Sequence, residues 1–117
     1  MGERDLLGGL IRLHILHHAA KEAIFGVGIM EELGRHGYKL SPGTLYPILH
    51  AMHRSGYLRS RVRLVLGRQR RLYTITDRGK AVLAQGKDRV WELFQELFED
   101  ELRSMKLRRG QCGVQRT

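Results

Sequence analysis

The first third of the chain carries two helical patterns of apolar residues. Residues 5–20, DLLGGLIRLHILHHAA, are apolar around most of a helical wheel, which predicts a buried helix. In a chain of 117 residues, such a helix is expected to contact both its own core and a second copy of the chain. Residues 27–35 form a shorter amphipathic helix with Ile29 and Leu33 directed inward, and Gly37 is expected to end it.

The third helical pattern, over residues 42–54, contains both prolines of the chain. Pro42 follows Ser41, a good N-cap residue, and takes the first helical position, where the N–H that proline lacks would be unpaired anyway. Pro47 lies in the second turn, where a proline removes a backbone hydrogen bond at a cost of about 3 kcal/mol. The apolar spacing nevertheless predicts a helix to about Arg54, so the second proline requires an explanation.

Residues 58–76 change from helical spacing to alternation. LRSRVRLVL (58–66) places arginines on one face and mainly apolar residues on the other, which predicts a strand with one solvated, cationic face. GRQRR (67–71) is interpreted as a polar turn, and LYTIT (72–76) as a second strand with Tyr73 inward. Together these segments predict a β-hairpin with a basic tip.

A final helix is predicted from Asp77 to about Met105, with Thr76 as its N-cap. At about 1.5 Å per residue it is roughly 40 Å long and overhangs a domain of this size. Its apolar residues, three of them aromatic, are therefore expected to pack against the same helix of a second subunit. The basic, patternless residues 107–117 are interpreted as a frayed tail.

These elements follow one another as three helices, two strands and a long helix. Two helices joined by a short glycine-containing turn and followed by a hairpin are typical of a winged helix-turn-helix. The predicted fold class is α+β, mostly α, with three helices and a two-stranded β-wing. The predicted organisation is a winged helix-turn-helix domain (1–76), a C-terminal dimerisation helix (77–106) and a basic flexible tail (107–117).

The net charge of +9 is concentrated in the middle of the chain. Residues 33–76 contain no Asp or Glu but nine of the 21 Lys and Arg residues, and the remaining 12 basic residues equal the 12 acidic ones in number. Such a one-sign block, covering the turn, the third helix and the hairpin, is typical of a surface that binds a polyanion.

The remaining composition narrows the class of protein. The single Cys112 excludes an internal disulfide framework and favours a reducing compartment, so a cytoplasmic location is predicted. No apolar run is long enough to span a membrane, and the N-terminus does not resemble a signal peptide, so no membrane partner is predicted. No catalytic constellation or cofactor motif is present, so an enzyme is not predicted and no cofactor is expected.

Two motifs in the basic block resemble those of the PadR family of bacterial transcriptional regulators. LSPGTLYPILHAMHRSGYL (40–58) opens with the Ser-Pro-Gly-Thr-Leu-Tyr-Pro sequence of the family's recognition helix. GRQRRLYTITDRG (67–79) combines the family's wing with its Thr-x-x-Gly transition to the C-terminal helix. The resemblance covers roughly residues 10–105 and is to the smaller subgroup with one C-terminal helix. Val27 departs from it, because the family commonly has tyrosine there.

The resemblance implies a homodimeric repressor that binds a palindromic operator in double-stranded DNA and is released by a small molecule or a stress signal. The candidate DNA-binding residues lie in the turn, on the third helix and on the hairpin: Lys39, Ser41, Pro42, Gly43, Thr44, Tyr46, Pro47, His50, Arg54, Arg61, Arg63, Arg68, Arg70 and Arg71. The candidate dimer interface lies on the first and last helices: Leu10, His14, His17, Val90, Trp91, Phe94, Leu97 and Phe98. Trp91 is also a candidate effector contact, because some PadR-like proteins stack a planar ligand on a tryptophan of this helix.

Chemical arguments assign roles to some of these side chains. The hydroxyls of Ser41 and Thr44, with the N–H groups at the helix start, suit a phosphate. The arginines of the hairpin tip suit a minor groove, which attracts cations. For Pro47, the hypothesis is that its ring stiffens the reading end of the helix and contacts a thymine methyl group or a sugar.

Two alternatives stay open from the sequence alone. His14, His17 and His18 have the i, i+3, i+4 spacing of metal ligands but fall among leucines on the helical wheel. They are interpreted as partly buried, hydrogen-bonded side chains, with no metal predicted and a pH- or metal-linked role as the alternative. The second alternative is a basic adaptor that binds RNA or an acidic protein. RNA-binding modules, however, usually interleave exposed aromatic residues with basic ones, and the hairpin offers only Tyr73.

Overall fold

The structure is a computed structural model that describes the backbone of residues 3–111 and the side chains of residues 7–107. The described range forms five helices and three strands: α1 (Glu3–Lys21), β1 (Ile24–Phe25), α2 (Gly26–Arg35), α3 (Pro42–Arg54), β2 (Leu58–Val65), β3 (Arg68–Ile75), α4 (Asp77–Leu97) and α5 (Glu99–Gln111). No described helix is long and apolar enough to cross a membrane. The chain divides into two compact units, the first ending at Ala84 and the second beginning at Gln85.

The core of the first unit is built from apolar residues of α1, α2, α3 and the sheet. Its largest fully buried side chains come from four elements: Ile15, Leu33, Leu45, Leu49 and Leu58. Complete burial of each such side chain contributes about 1.5–3 kcal/mol. Leu45 and Leu49 are i and i+4 residues of α3, in agreement with the helical apolar spacing predicted over residues 42–54.

Gly37 and Gly56 end α2 and α3, with φ angles of +92° and +85°. In each case the amide of the following tyrosine donates to the carbonyl five residues earlier, at 2.9 Å and 3.0 Å. This is the Schellman pattern, in which the positive φ favours glycine. The ends predicted for both helices are therefore confirmed.

The sheet is antiparallel with strand order β1-β3-β2. The sequence predicted the two strands of the hairpin but not β1, which pairs Ile24 with Tyr73 and Phe25 with Leu72. A two-residue strand is too short to produce an alternating pattern. Since α2 follows β1 directly, this pairing attaches the hairpin to the beginning of the helix-turn-helix.

The hairpin turn is shorter than the sequence predicted. Leu66 and Gly67 alone connect β2 to β3, and both have positive φ (51° and 76°), as in a type I′ turn. The prediction of a turn over 67–71 is therefore wrong, because residues 68–71 pair within β3. The outer half of the hairpin is solvated on both faces, with Leu64 71% exposed, so charged residues are as compatible with the strand as apolar ones.

Thr76 is the residue that precedes α4, as predicted. Its hydroxyl accepts a hydrogen bond from the Gly79 amide at 3.0 Å and donates one to the carbonyl of Gly56. A Cβ at Gly79 would overlap the carbonyl oxygen of Tyr57. The Thr-x-x-Gly spacing therefore joins the beginning of α4 closely to the end of α3.

The long C-terminal helix forms as two consecutive helices that meet at Phe98. Backbone hydrogen bonds continue across the junction, since the amide of Phe98 donates to Phe94 at 3.0 Å and that of Leu102 donates to Phe98 at 2.8 Å. The end predicted near Met105 is too early, because α5 continues to Gln111. The remainder of the predicted tail, including Cys112, lies outside the described residues.

Candidate nucleic-acid interface

The beginning of α3 has the backbone geometry of a capped helix without the side-chain cap. Ser41 occupies the N-cap position with φ −79° and ψ 160°, but its side chain makes no capping hydrogen bond. Its hydroxyl instead lies 3.3 Å from that of Thr44. Pro42 has no N–H, and the Thr44 amide donates to the Ser41 carbonyl at 3.0 Å, so in this turn it is the Gly43 amide that remains able to donate to an external acceptor. A helix N-terminus also favours an anion.

Gly43, in the first turn of α3, has no steric reason to be glycine within the chain. A Cβ at this position would meet only the Ser41 Oγ, at 3.8 Å, which is an ordinary van der Waals contact. Glycine costs a helix about 0.5–1 kcal/mol relative to alanine. The residue is exposed, so its bare backbone is accessible to a ligand.

Pro47 lies inside α3 without ending it. Because the proline has no N–H, the carbonyl of Gly43 lacks its helical donor. The ring is exposed, as are His50 and Arg54, and all three lie away from the buried face of α3. With Gly43, these are four of the candidate DNA-binding residues, and the structure places them on the solvent side of the helix.

Tyr46 packs from α3 onto the beginning of α2. A Cβ at Gly26 would overlap the Tyr46 ring and its hydroxyl, so the close approach of the ring requires glycine there. The tyrosine remains 41% exposed. This requirement is not apparent from the sequence, in which Gly26 is simply the first residue of α2, directly after β1.

The hairpin arginines separate into two faces. Residues directly opposite each other in an antiparallel pair share a face, and Arg63 is opposite Arg70 while Arg61 is opposite Leu72. Arg68, opposite Val65, lies on the same face as these arginines. Like charges directly opposite each other are destabilising, so the Arg63–Arg70 pair favours an anion as a third partner.

Arg71 lies on the opposite face of the hairpin. It is opposite Val62, and its guanidinium donates to the Ser60 hydroxyl at 2.9 Å. The sequence pattern predicts a common basic tip that includes Arg68, Arg70 and Arg71. The structure separates Arg71 from the other two because a one-residue step along a strand reverses the face.

These residues form what we call the basic surface: the turn before α3, the first turn and solvent side of α3, and the arginine-bearing face of the hairpin. All fourteen candidate DNA-binding residues are exposed or half-buried. Among residues 7–107, none of the basic side chains between Lys39 and Arg71 forms an ion pair with an acid. Within the described part of the chain, this positive charge therefore has no acidic partner.

The second unit carries an aromatic stripe, which comprises Val90, Trp91, Phe94, Leu97 and Phe98. Trp91 stacks on Phe94 with ring centroids 5.8 Å apart, and Phe94 lies 5.0 Å from Phe98. All five side chains are exposed, with Trp91 at 60%. Contiguous apolar exposure of this kind is typical of an interaction surface.

The candidate interface residues of α1 have different environments. Leu10 and His17 are exposed, whereas His14 is half-buried. Burial lowers the pKa of His14 and of His18. The expectation that these histidines are hydrogen-bonded is wrong for the Nε2 atom of His18, which is buried and has no hydrogen-bond partner in the described structure.

Comparisons with known proteins agree with this architecture. Residues 15–85 match the sequence profile described as the transcriptional regulator PadR-like family. The chain is 46% identical over 95 residues to the transcriptional regulator Rv3488 of Mycobacterium tuberculosis, an alignment that covers 81% of this chain and 89% of that protein. The PadR-like transcriptional regulator BC4206 of Bacillus cereus has a similar structure, with a TM-score of 0.71, 27% identity and coverage of 84% of this chain and 96% of that one.

A further solved structure, smu.1704 from Streptococcus mutans, has a TM-score of 0.66 and 26% identity, and covers 93% of this chain and 92% of that one. The profile match extends over more than half of the chain, from α1 through the helix-turn-helix and the hairpin into α4. The chain therefore belongs to the PadR-like family of transcriptional regulators, which act by binding DNA and are not enzymes.

Proposed function

We propose that this chain is a homodimeric transcriptional repressor that binds a palindromic operator through the basic surface of each subunit. The observation that carries the proposal is the uncompensated charge of that surface. No acid lies within residues 33–76, and the arginines of the hairpin oppose each other instead of pairing with carboxylates. Duplex DNA supplies the anions that this arrangement lacks.

In this proposal α3 lies in the major groove. Its solvent side presents Pro47, His50 and Arg54 to base edges, and Arg54 is suited to a guanine because a guanidinium can donate to both O6 and N7. Gly43 allows the backbone of the first turn to approach the duplex. The ring of Pro47 supplies an apolar contact for a thymine methyl group or a sugar.

The phosphate contacts come from the turn and from the first half of α3. The Gly43 amide, with the hydroxyls of Ser41 and Thr44, is suited to one phosphate. Lys39 precedes them in the turn and adds a charge. The Tyr46 hydroxyl, held against Gly26, can donate to the DNA backbone from a fixed position.

The hairpin contacts the minor groove beside the recognition site. A narrow minor groove has an enhanced negative potential that attracts arginine. Arg61, Arg63, Arg68 and Arg70 share the face that would enter it. Arg71 contributes less, because it lies on the other face and its guanidinium already donates to Ser60.

Dimerisation is assigned to the aromatic stripe, with Leu10, His14 and His17 of α1 as further interface residues. Burial of the stripe against a second copy would remove its exposed aromatic area from water. Two-fold symmetry of the dimer then requires a palindromic operator with half-sites about one helical turn apart. Trp91 is the residue proposed to contact a planar effector, because its ring is the most exposed of the aromatic rings in the stripe.

Selection of bound duplexes from a random pool tests this function directly. The expected result is a palindrome whose half-site spacing matches a dimer. Binding to the selected duplex at physiological salt should exceed binding to random duplex by about 10³-fold or more. If RNA of the same length bound as tightly as the selected duplex, or if no duplex sequence were preferred over random DNA, operator recognition would be contradicted. Either result would favour the basic adaptor.

Repression requires a separate measurement in cells. A reporter gene placed behind the selected operator should be transcribed less when the chain is expressed, and Arg63→Ala should weaken this repression. Increased transcription with the wild-type chain would assign activation in place of repression.

A further inference from the structure

Three histidines from two elements meet on the side of α1 that faces the end of α2. His14 and His18 lie one turn apart on α1, and His36 is the C-cap residue of α2. One ring nitrogen of each lies within 4.8 Å of the others. This cluster contains His36, which is far away in sequence, and excludes His17, which the spacing along α1 had included.

The separation of these nitrogens is close to that of a metal site. A point equidistant from three atoms 4.8 Å apart lies about 2.8 Å from each, whereas zinc–nitrogen bonds are about 2.0–2.1 Å long. Each ring therefore needs to move by about 0.7 Å, which small rotations of its side-chain torsions can supply. Without an ion, the rings pack against one another, and the ring centroids of His14 and His36 are stacked 4.7 Å apart.

The chemical state of the cluster also suits a cation. The Nε2 atom of His18 is buried and lacks a hydrogen-bond partner among the described residues, an arrangement that costs free energy unless something coordinates it. Burial lowers the pKa of His14 and of His18, so the neutral form, whose nitrogen lone pair binds metals, is favoured. A neutral imidazole is the commonest protein ligand for Zn²⁺ and related ions.

Glu32 supplies a carboxylate beside the histidines. Its Oε2 lies 3.6 Å from the Nε2 of His36, while its Oε1 accepts a hydrogen bond from Arg35 at 3.0 Å. The group within 4.8 Å comprises the three histidines, so the Glu32 carboxylate would have to turn toward it to become the fourth ligand. Three imidazoles and one carboxylate suit the tetrahedral geometry of Zn²⁺ and are poor ligands for Mg²⁺ or Ca²⁺, which require mainly oxygen atoms.

We propose that His14, His18 and His36, with Glu32 as the fourth ligand, bind one divalent transition-metal ion of the class of Zn²⁺ per chain. The ion would connect α1 to the C-cap residue of α2, so its binding would stabilise the first unit. This site is separate from the basic surface, and its existence does not depend on the proposed DNA-binding function.

The experiment uses the full chain after treatment with a chelator and its removal. Titration with Zn²⁺ alone, followed by calorimetry, should give one ion per chain, and Zn²⁺ should raise the Tm. His36→Ala and His18→Ala should each lower the affinity at least about tenfold and remove most of the increase in Tm. His36 is exposed, so its replacement should leave the metal-free fold intact by circular dichroism.

His53→Ala is the matched control, because His53 is an exposed histidine of α3 outside the cluster. It should bind Zn²⁺ as the wild-type chain does. Co²⁺ in place of Zn²⁺ should give visible d–d bands typical of tetrahedral nitrogen and oxygen ligands, and His36→Ala should abolish them. Unchanged Zn²⁺ affinity in His36→Ala and His18→Ala, an equal loss in His53→Ala, or a thiolate-to-cobalt band from Cys112 would each overturn the site, as would no stoichiometric binding.

Discussion

The basic surface and the aromatic stripe are both exposed in the single chain, but exposure has opposite consequences for the two. The arginines of the hairpin are solvated and stable in water, and their mutual repulsion is screened by salt. For the apolar side chains of the stripe, contact with water is unfavourable, and Trp91 is 60% exposed.

This difference separates two kinds of partner. A charged surface without acids can remain unoccupied until a polyanion arrives, so its binding should be reversible and dependent on salt. An exposed aromatic surface is unfavourable in water at all times, so its partner should be present whenever the chain is folded. A second copy of the chain meets that condition for the stripe, and DNA meets the first condition for the basic surface.

Disruption of the stripe is expected to have the largest effect on both surfaces. Phe94→Asp places a charge at the centre of the stripe, between the rings of Trp91 and Phe98. The variant should be monomeric by light scattering. Its operator affinity should fall by at least about 100-fold, because two linked half-site contacts become one.

Gln85→Asp provides the control for Phe94→Asp. Gln85 is an exposed residue of α4 nine residues before Phe94, which places it on the opposite side of the helix, so the substitution adds the same charge away from the stripe. It should remain dimeric and bind the operator normally. A dimeric Phe94→Asp variant would show that the stripe is not the interface.

The basic surface can be weakened without a change to the aromatic stripe. Arg63→Ala removes one of two directly opposed arginines, so the slope of log affinity against log salt should decrease by about one unit. The same change relieves the repulsion of Arg70, so the free energy of unfolding should rise by about 0.2–1 kcal/mol. Gel shifts over a range of salt concentrations and urea unfolding measure the two effects.

Arg59→Ala is the comparison for Arg63→Ala, because Arg59 lies on the same strand but opposite Thr74 instead of a second arginine. It should change the salt slope less and leave stability unchanged. Equal effects of the two substitutions on slope and stability would mean that general charge, and not the paired arrangement, determines binding.

The sequence predicted the regions in which local signals act and missed those that depend on distant contacts. The bounds of α3 were predicted as they are found, from Pro42 to Arg54, because the start and stop signals are both local. The roles of Thr76 and Gly79 in beginning α4 were likewise contained in a four-residue motif.

Other features require tertiary structure. β1 exists because two residues pair with β3, and His36 joins His14 because α2 packs beside α1; neither relation leaves a periodic pattern in the sequence. The hairpin turn was placed too late because Leu66 with φ 51° is an unusual residue for a type I′ turn. The need for glycine at Gly26 depends on the ring of Tyr46, twenty residues later.

A substitution at Gly43 tests whether glycine is required in the first turn of α3 by the fold or by a ligand. Gly43→Ala should raise the free energy of unfolding by about 0.5–1 kcal/mol, since the added Cβ meets no close neighbour. It should lower operator affinity because the methyl group would stand between the backbone and the duplex. Gly34→Ala, at an exposed helical glycine with open space around it, should stabilise the chain similarly and bind DNA normally. Normal binding by Gly43→Ala would indicate that the backbone does not approach the DNA closely.

Of the substitutions considered, Pro47→Ala should change operator affinity least. Its effect on the free energy of unfolding should be larger than that of Gly43→Ala or Arg63→Ala. Pro47→Ala restores an N–H to α3, so the carbonyl of Gly43 gains its helical donor and the chain should be stabilised by up to about 3 kcal/mol. Affinity for the selected operator should change little, because an exposed apolar ring contributes few contacts. Discrimination should fall at the single base pair that the ring contacts, which competition between operator duplexes altered at one position can measure. A variant that is more stable and equally selective would show that Pro47 has no part in recognition. The basic surface would then discriminate between sequences through its polar side chains and backbone alone.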